Sequence, residues 1–231
     1  MKAVALTAFS PPPGTTAQHA LDRLRHAIVA RELRPGQRVV QEEVAERIGV
    51  SVAPVREALR VLEQEGQVTY RPRHGYFVTE LRAADLEEIY GLRRLLEGRA
   101  ARSALPTLDE RAREQIAIAA QDCVDAAEAG DVAAELAANR RFHFGLLESP
   151  GQVHTMRLIR LLWDSTEAYR AIYYNSPEER RETARAHERI LDAVQLGAAD
   201  ALVAELDAHR DRALSVLKGI LAPVLPAGAA A

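Results

Sequence analysis

The chain has 231 residues, 48% of them hydrophobic and 27% charged, which is enough for one large domain or two small ones with a buried core. Its formal net charge of −3 gives no global basic bias, and its single cysteine, Cys123, excludes an internal disulfide and suits a reducing compartment. No apolar run approaches the roughly 20 residues of a membrane span, and the N-terminus lacks the basic segment and apolar core of a secretory signal. These features predict a cytoplasmic protein with no membrane partner.

Three helical patterns occupy the first part of the chain. Residues 1–16 end in FSPPPGTT and are predicted to be a disordered tail. AQHALDRLRHAIVAREL and QEEVAERIGV predict two amphipathic helices, separated by the break RPGQRV. SVAPVREALRVLEQEG predicts a third helix, with Ser51 as its candidate N-cap and with Val55, Leu59 and Leu62 on one apolar face.

A hairpin is predicted after the third helix. QVTYRPRHGYFVTE contains two β-rich runs, 68–70 and 76–78, around the basic tip RPRHG. Three helices and a hairpin in this order predict a winged helix-turn-helix domain over residues 17–80. Residues 1–80 carry 11 basic and 9 acidic side chains, whereas residues 81–231 carry 19 and 24, so the more basic part of the chain is this domain.

The rest of the chain shows no strand pattern. Proline and glycine residues divide it into alanine-rich helical stretches with short connections, which predict an all-α antiparallel bundle. The fold class is therefore mainly α, with the bundle over residues 81–222 and a flexible tail over 223–231. The predicted helices run over 83–104, 107–129, 131–148, 152–174, 177–196 and 200–221.

The stretch RPGQRVVQEEVAERIGVSVAPVREALRVLEQEGQVTYRPRHGYFV resembles the DNA-binding domain of the GntR family of bacterial transcription regulators. The resemblance lies in PG after the first helix, in PVREAL, in L-E-x-E-G and in the basic wing with glycine at its tip. EIYGLRRLLEGRAA, NRRFHFGLLESPG and AHERILDAVQLGAADAL resemble the FadR-type branch, whose ligand-binding domain is called FCD. Over residues 17–221 the resemblance implies a ligand-responsive regulator, such as a repressor, that binds double-stranded operator DNA as a homodimer.

In such a domain the N-terminal residues of the recognition helix contact bases in the major groove. The candidates here are Ser51, Val52, Ala53 and Arg56, with Arg60 one turn further along. Arg56 is the best candidate for a bidentate contact to guanine. The alternative is that both arginines are solvated and paired with neighbouring glutamates.

The resemblance has one departure in this helix. The family usually has arginine where this chain has Val52, and valine can contact a thymine methyl group but cannot donate a hydrogen bond. We therefore expect an operator that differs from the commonest family sequence. In the predicted wing, residues 71 and 73–75 are expected to approach phosphates or the minor groove, unless the hairpin is simply exposed: Arg71, Arg73, His74 and Gly75.

Polar residues interrupt the apolar stripes of three bundle helices. Asn139 and His143 share a helix face at i,i+4. His187 and His209 lie at similar distances from the turn that joins the last two helices, so at about 1.5 Å per residue they are level in an antiparallel pair. Three imidazoles and an amide oxygen suit zinc or a similar divalent ion, with nickel and manganese as alternatives. The other interpretation is a metal-free polar network of neutral histidines.

The resemblance implies the same metal site, because FCD domains carry one in which the first ligand is usually aspartate. Here that position is Asn139, whose neutral amide is a weaker ligand. Arg93 is a further anomaly, since it lies on the apolar stripe of the first bundle helix and a buried guanidinium needs a carboxylate. That carboxylate is either Glu97 at i+4 or a small organic acid bound as effector, which the resemblance favours. Other candidates to line the cavity are Arg140, Trp163, Tyr169 and Asn175.

Two other functions are compatible with part of the pattern. The helical half could serve only for dimerisation, in which case the bundle would be packed solid beside Arg93 and the histidines. A metal-dependent hydrolase is the second alternative, but the sequence lacks H-E-x-x-H and G-x-S-x-G and shows no general base. The hydrolase hypothesis also leaves the helix-turn-helix unexplained, so the protein is not expected to be an enzyme. Residues 80–84 are the expected hinge.

Overall fold

The computed structural model describes residues 15–221. The predicted tails over 1–14 and 223–231 lie outside the described residues. Thr15 accepts a hydrogen bond from the backbone nitrogen of Gln18 at 3.2 Å, so the first helix already starts within the predicted N-terminal tail. The N-terminal elements are α1 Thr16–Val29, β1 Arg38–Val39, α2 Gln41–Ile48, α3 Val52–Gln64, β2 Val68–Arg71 and β3 Gly75–Val78.

The helix-turn-helix follows from local chemistry. Gly49 ends α2 with a φ of +72°, a left-handed conformation that glycine adopts without strain. Ser51 occupies the N-cap position of α3 with extended backbone, but its side chain makes no capping hydrogen bond, so that part of the prediction is wrong. The predicted apolar face is confirmed, since Val55, Leu59 and Leu62 are all fully buried against the other helices of the domain.

The predicted hairpin is confirmed as β2 and β3, which pair antiparallel from Val68 opposite Val78 to Arg71 opposite Gly75. The sequence did not reveal β1. It pairs with the other edge of β3, so the sheet order is β1-β3-β2 among the described residues. Two residues are too few to show a strand period, and only the fold brings them to β3.

The all-α bundle is also confirmed. Its helices are α4 Ala83–Ala104, α5 Glu110–Ala129, α6 Val132–Leu147, α7 Val153–Ser165, α8 Glu167–Tyr173, α9 Pro177–Gln195 and α10 Ala199–Leu221, with a 3-10 turn at Leu105–Thr107. Asp109, Asp131 and Ser176 accept hydrogen bonds from the first turns of α5, α6 and α9, which explains why these helices begin where they do. No helix within residues 15–221 is long and apolar enough to cross a membrane.

One predicted helix, 152–174, is instead two. The chain breaks between α7 and α8 at Thr166, whose φ of −109° and ψ of 5° are not helical. The buried Thr166 hydroxyl bonds the carbonyl oxygens of Leu162 and Trp163, and Arg170 donates to the same Trp163 oxygen at 2.8 Å. These side chains satisfy the carbonyls at the end of α7, so the helix can stop there.

The short helix α8 touches both halves of the protein. Ala168 packs against the core of the winged domain and against the bundle cluster around Tyr169 and Leu217. The backbone nitrogen of Leu81, in the linker between the two halves, donates to the Tyr169 hydroxyl at 2.6 Å. The linker is therefore held by a bundle side chain.

Candidate functional site

Three histidines meet inside the bundle, one each from α6, α9 and α10. The rings of His143 and His209 stack with centroids 5.2 Å apart, and His187 lies 5.4 Å from each of them. One nitrogen from each ring lies within 4.8 Å of the others. The structure thus brings together the side chains that the sequence placed at one level, and Asn139 lines the same cavity one turn before His143.

The histidines are held in the neutral form. Burial, followed by the other histidines, lowers the pKa of His143 and His187 well below the usual value. Burial and then the charges of Arg210 and Arg93 lower the pKa of the partly exposed His209 to about 4. Neutral imidazole is the form that binds a metal ion.

Several polar atoms in this cluster have no hydrogen-bond partner within the described part of the chain. They are both ring nitrogens of His187, Nδ1 of His143 and Oδ1 of Asn139. A metal-free network would be expected to satisfy them, because an unpaired buried polar atom costs about 1–3 kcal/mol. A tetrahedral ion holds nitrogen ligands about 3.4 Å apart, so small side-chain rotations would bring the three rings to that spacing. The residues present therefore fit a divalent metal ion.

Glu97 lies at the centre of a charged network beside the histidines. Its Oε1 accepts from Nε of Arg93 at 2.7 Å and from Nε1 of Trp163 at 2.8 Å, and its Oε2 accepts from Arg210 at 2.5 Å. Burial alone would raise the pKa of Glu97, but Arg93 and Arg210 lower it below the usual value. The internal partner considered for Arg93 is thus present, and Arg210 shares it.

A narrow cavity opens between this network and the histidines. Its position beside Arg93 is the feature that a bundle used only for dimerisation would lack. Two of its arginines, Arg170 and Arg210, were not singled out from the sequence. Arg170 was hidden by the unpredicted break before α8, whereas its neighbour His209 was a usable signal for Arg210. The lining residues are Tyr90, Arg93, Asn139, His143, Trp163, Arg170, Tyr173, Tyr174, His209, Arg210, Ala213 and Leu217.

The four further candidates for the cavity have different positions. Trp163 lines it, and its buried ring lies 4.4 Å from the guanidinium carbon of Arg93. Arg140 instead pairs with Asp164 at 2.7 Å, and Tyr169 holds the linker. Asn175 lines a separate surface groove beside α1.

The predicted DNA-contacting residues of α3 lie at its exposed N-terminal end. Ser51, Ala53, Arg56 and Arg60 are exposed, whereas Val52 is half-buried and packs against the domain core. Within the residues that the structure describes, neither arginine forms an ion pair, and Arg56 donates only to the Gln41 side chain at 3.3 Å. Both guanidinium groups are therefore available to a ligand.

The wing presents its basic residues at the surface. Arg71, Arg73 and His74 are exposed, and the Arg71 guanidinium lies 4.3 Å from the ring of Phe77. Gly75 has a φ of +88°, which lets the hairpin close tightly after the turn. The tip thus places three polar side chains on a short, defined loop.

Comparison with known proteins places both halves. The family model described as FCD domain matches residues 88–212, and that described as bacterial regulatory proteins, gntR family, matches residues 16–78. The chain is 27% identical to the HTH-type transcriptional regulator YdhC of Bacillus subtilis over 201 residues, 87% of this chain and 90% of YdhC. It is 33% identical over 142 residues to an HTH-type transcriptional regulator of Agrobacterium vitis, covering 60% of this chain and 81% of that protein.

Solved structures show the same fold. The chain superposes on the Escherichia coli protein McbR/YncC with a TM-score of 0.77 at 23% identity, over 90% of this chain and 99% of that one. At this identity the likeness speaks for the arrangement of helices and not for a shared ligand.

Proposed function

Because the chain belongs to the GntR family of bacterial transcription regulators and carries an FCD domain, we propose that it is a cytoplasmic homodimer whose DNA binding responds to a small carboxylate effector. It is a transcription regulator and not an enzyme, as its relatives are. In this proposal residues 17–80 bind the operator, and residues 81–222 bind the effector and dimerise.

One observation carries the effector half of the proposal: three neutral, buried or partly buried histidines meet beside a cavity that Arg93 lines. We propose that His143, His187 and His209 hold a divalent ion, with zinc the first choice, and that Asn139 is the fourth ligand. When bound, such an ion supplies positive charge that attracts a carboxylate. Arg93 adds a planar donor whose geometry matches the same group.

The DNA-binding half rests on the exposed end of α3 and on the wing. Arg56 is proposed to read guanine, with Ser51, Ala53 and Arg60 beside it. Arg71, Arg73, His74 and Gly75 are proposed to contact the DNA backbone or minor groove. The half-buried Val52 leaves a methyl surface in place of a hydrogen-bond donor. A dimer then presents two such heads to a pseudo-palindromic operator.

Effector and DNA are coupled through the arrangement of the two heads. The effector binds one arrangement better than another and so shifts its population. Operator affinity then changes by the same coupling free energy, about 1–3 kcal/mol. The hinge proposed at residues 80–84 includes Leu81, whose backbone the Tyr169 hydroxyl holds.

The metal site is tested by titrating the chelated protein with zinc in a calorimeter. His187→Asn should reduce zinc affinity by more than the roughly 10–100-fold that loss of an outer-shell partner costs. The matched control is His154→Asn, since His154 is exposed and outside the cluster. Asn139→Asp should bind zinc more tightly than the parent protein, because a carboxylate replaces a neutral amide.

The effector site is tested on the zinc-loaded protein with a panel of small carboxylic acids. Arg93→Ala should weaken the acids that bind while leaving zinc affinity unchanged. Equal zinc affinity in His187→Asn and its control would remove the metal from the proposal. A panel in which no acid binds would leave a DNA-binding dimer that senses no carboxylate.

A further inference from the structure

Arg170 is a buried cation without a buried anion to balance it. Only 7% of the residue is exposed, and it lines the cavity beside Arg93. Its Nη1 donates to two neutral oxygens, the Trp163 carbonyl and the Thr166 hydroxyl, both at 2.8 Å. Its Nε has no partner among residues 15–221.

No carboxylate in the described part of the chain forms an ion pair with Arg170. The half-buried Glu167, on the same helix, exerts only a longer-range attraction. Burial, and after it the charge of Arg93, lower the pKa of the Arg170 guanidinium, so the surroundings disfavour its charge. Breaking up a buried pair usually costs several kcal/mol because an uncompensated charge remains, and Arg170 is in that uncompensated condition.

Charge counting extends the point to the whole cavity. Arg93, Arg170 and Arg210 are all at least nine-tenths buried. Among the described residues, Glu97 pairs with the first and third, and Asp207 pairs with the third. One positive charge is left over from the protein alone, and a divalent ion on neutral histidines would add two more. A single carboxylate cannot balance this site.

The two arginines that face the cavity are close enough to share one small ligand. The guanidinium carbons of Arg93 and Arg170 each lie 4.4 Å from the centre of the Trp163 ring, so they are no more than about 8.8 Å apart. A short chain with an acid group at each end spans such a gap, whereas a long one does not fit a narrow cavity.

We propose that Arg170 binds a second anionic group of the effector, so that the effector is a short dicarboxylate held by Arg93 and the metal at one end and by Arg170 at the other. This inference rests on the carboxylate site proposed above. It adds a specificity-determining residue and a ligand class.

The test compares acids that differ only in the second carboxylate. Succinate is paired with butyrate and glutarate with pentanoate, each titrated into the zinc-loaded protein by calorimetry. We expect each dicarboxylate to bind about tenfold or more tightly than its partner, as for a charge-assisted hydrogen bond. Arg170→Gln should reduce that ratio to near one while leaving the monocarboxylates bound as before. Arg140→Gln is the matched control and should keep the full ratio, because Arg140 pairs with Asp164 outside the cavity.

Arg170 also holds the end of α7, so Arg170→Gln can fail to fold. Arg170→Lys keeps the charge without the planar fork and should show an intermediate ratio. The parent protein alone also decides the question. A ratio near one in the parent, or an unchanged ratio in Arg170→Gln, overturns the inference while monocarboxylate binding leaves the proposed function intact. If neither acid of any pair binds, both fail.

Discussion

Arg56 is the residue at which reading a sequence can be separated from attraction to DNA. Its guanidinium is exposed and makes no ion pair within the described residues. Arg56→Ala should weaken operator binding by about 1–3 kcal/mol, because a bidentate contact to guanine is lost. Binding to a random duplex should weaken less. Fluorescence anisotropy at one fixed salt concentration measures both.

The control for this prediction is Arg111→Ala, which removes an exposed arginine from the bundle and should change neither affinity. Equal losses on operator and random duplex in Arg56→Ala would mean that the side chain touches only phosphate.

Glu135 is a buried carboxyl whose effect on stability depends on pH. It is 1% exposed, and its Oε2 lies 3.4 Å from Arg180. Burial raises its pKa to about 7, although Arg180 opposes the shift. The folded protein therefore holds a proton that the unfolded chain releases near pH 4.5. The stability that this group contributes is full below that pH and is lost as the pH rises towards 7.

Glu135→Gln should remove this dependence because glutamine resembles the protonated acid. Relative to the parent, the variant should gain roughly 2–3 kcal/mol of unfolding free energy between pH 5 and pH 8. Urea unfolding at the two pH values measures the gain. Glu128→Gln, an exposed position on α5, is the control and should follow the parent. A Glu135→Gln curve parallel to that of the parent would show that the carboxyl titrates normally.

At the scale of elements, α8 connects the cavity to the DNA-binding half. One of its residues, Arg170, lines the cavity, while the preceding residue, Tyr169, bonds the linker at Leu81. Tyr169→Phe keeps the ring and removes the hydrogen bond. It should reduce the coupling between effector and operator by about 0.5–1.5 kcal/mol.

That coupling is measured as the ratio of operator affinities with and without the tightest-binding acid. Effector affinity in the absence of DNA is the control and should match that of the parent protein. A variant with the parent's ratio would place the transmission elsewhere in the linker.

The elements also show what a sequence can and cannot predict. The first bundle helix was predicted over 83–104 and is found at Ala83–Ala104, because its ends are set by local residues such as Asp85, which bonds the backbone nitrogen of Arg82. The break at Thr166 was missed because it depends on a buried hydroxyl and on Arg170 folding back to α7. β1 was missed because its partner strand is distant in sequence.

The candidate site divides in the same way. The meeting of His187 and His209 followed from counting residues along two helices joined by a tight turn. Glu97 was found as an i+4 neighbour of Arg93. Arg170 could not be placed, since its direction depends on the break that precedes α8. Residues positioned by a helix period were thus predictable, and the one positioned by tertiary bonds was not.

At the scale of the whole molecule, metal removal should destabilise the protein without unfolding it. The bundle core of large buried side chains, such as Phe142, Leu146 and Ile159, does not need the ion to form. Binding adds stability by mass action, about 2.7 kcal/mol when free metal is 100 times its Kd. Chelation should therefore lower Tm while the circular dichroism of the helices at 25 °C stays unchanged.

Zinc added back after chelation should restore Tm, and the same titration on His187→Asn should not. Complete unfolding on chelation would show that the fold depends on the ion. An unchanged Tm would favour the metal-free histidine network.

Dimerisation belongs to the same scale. α4 exposes Leu92 and Leu95, the latter at 71%, beside the half-buried Val203 of α10. If a second copy covers this strip, Leu95→Glu should shift the protein towards monomer in sedimentation velocity, because a charge would be buried in the interface. Leu196→Glu, at an 81% exposed position after α9, should leave the assembly unchanged. Monomers in the parent protein would contradict the proposed homodimer.

Trp163 gives the molecule an optical reporter of its own. It is the single tryptophan of the chain, it is 1% exposed, and it lines the cavity between the guanidinium groups of Arg93 and Arg170 and the ring of His143. Indole emission responds to nearby charge and to quenching by neighbouring groups, so an ion or an acid that enters the cavity changes the light from this one residue. Binding at the heart of the bundle can therefore be followed in solution without a label, at the spot where it occurs.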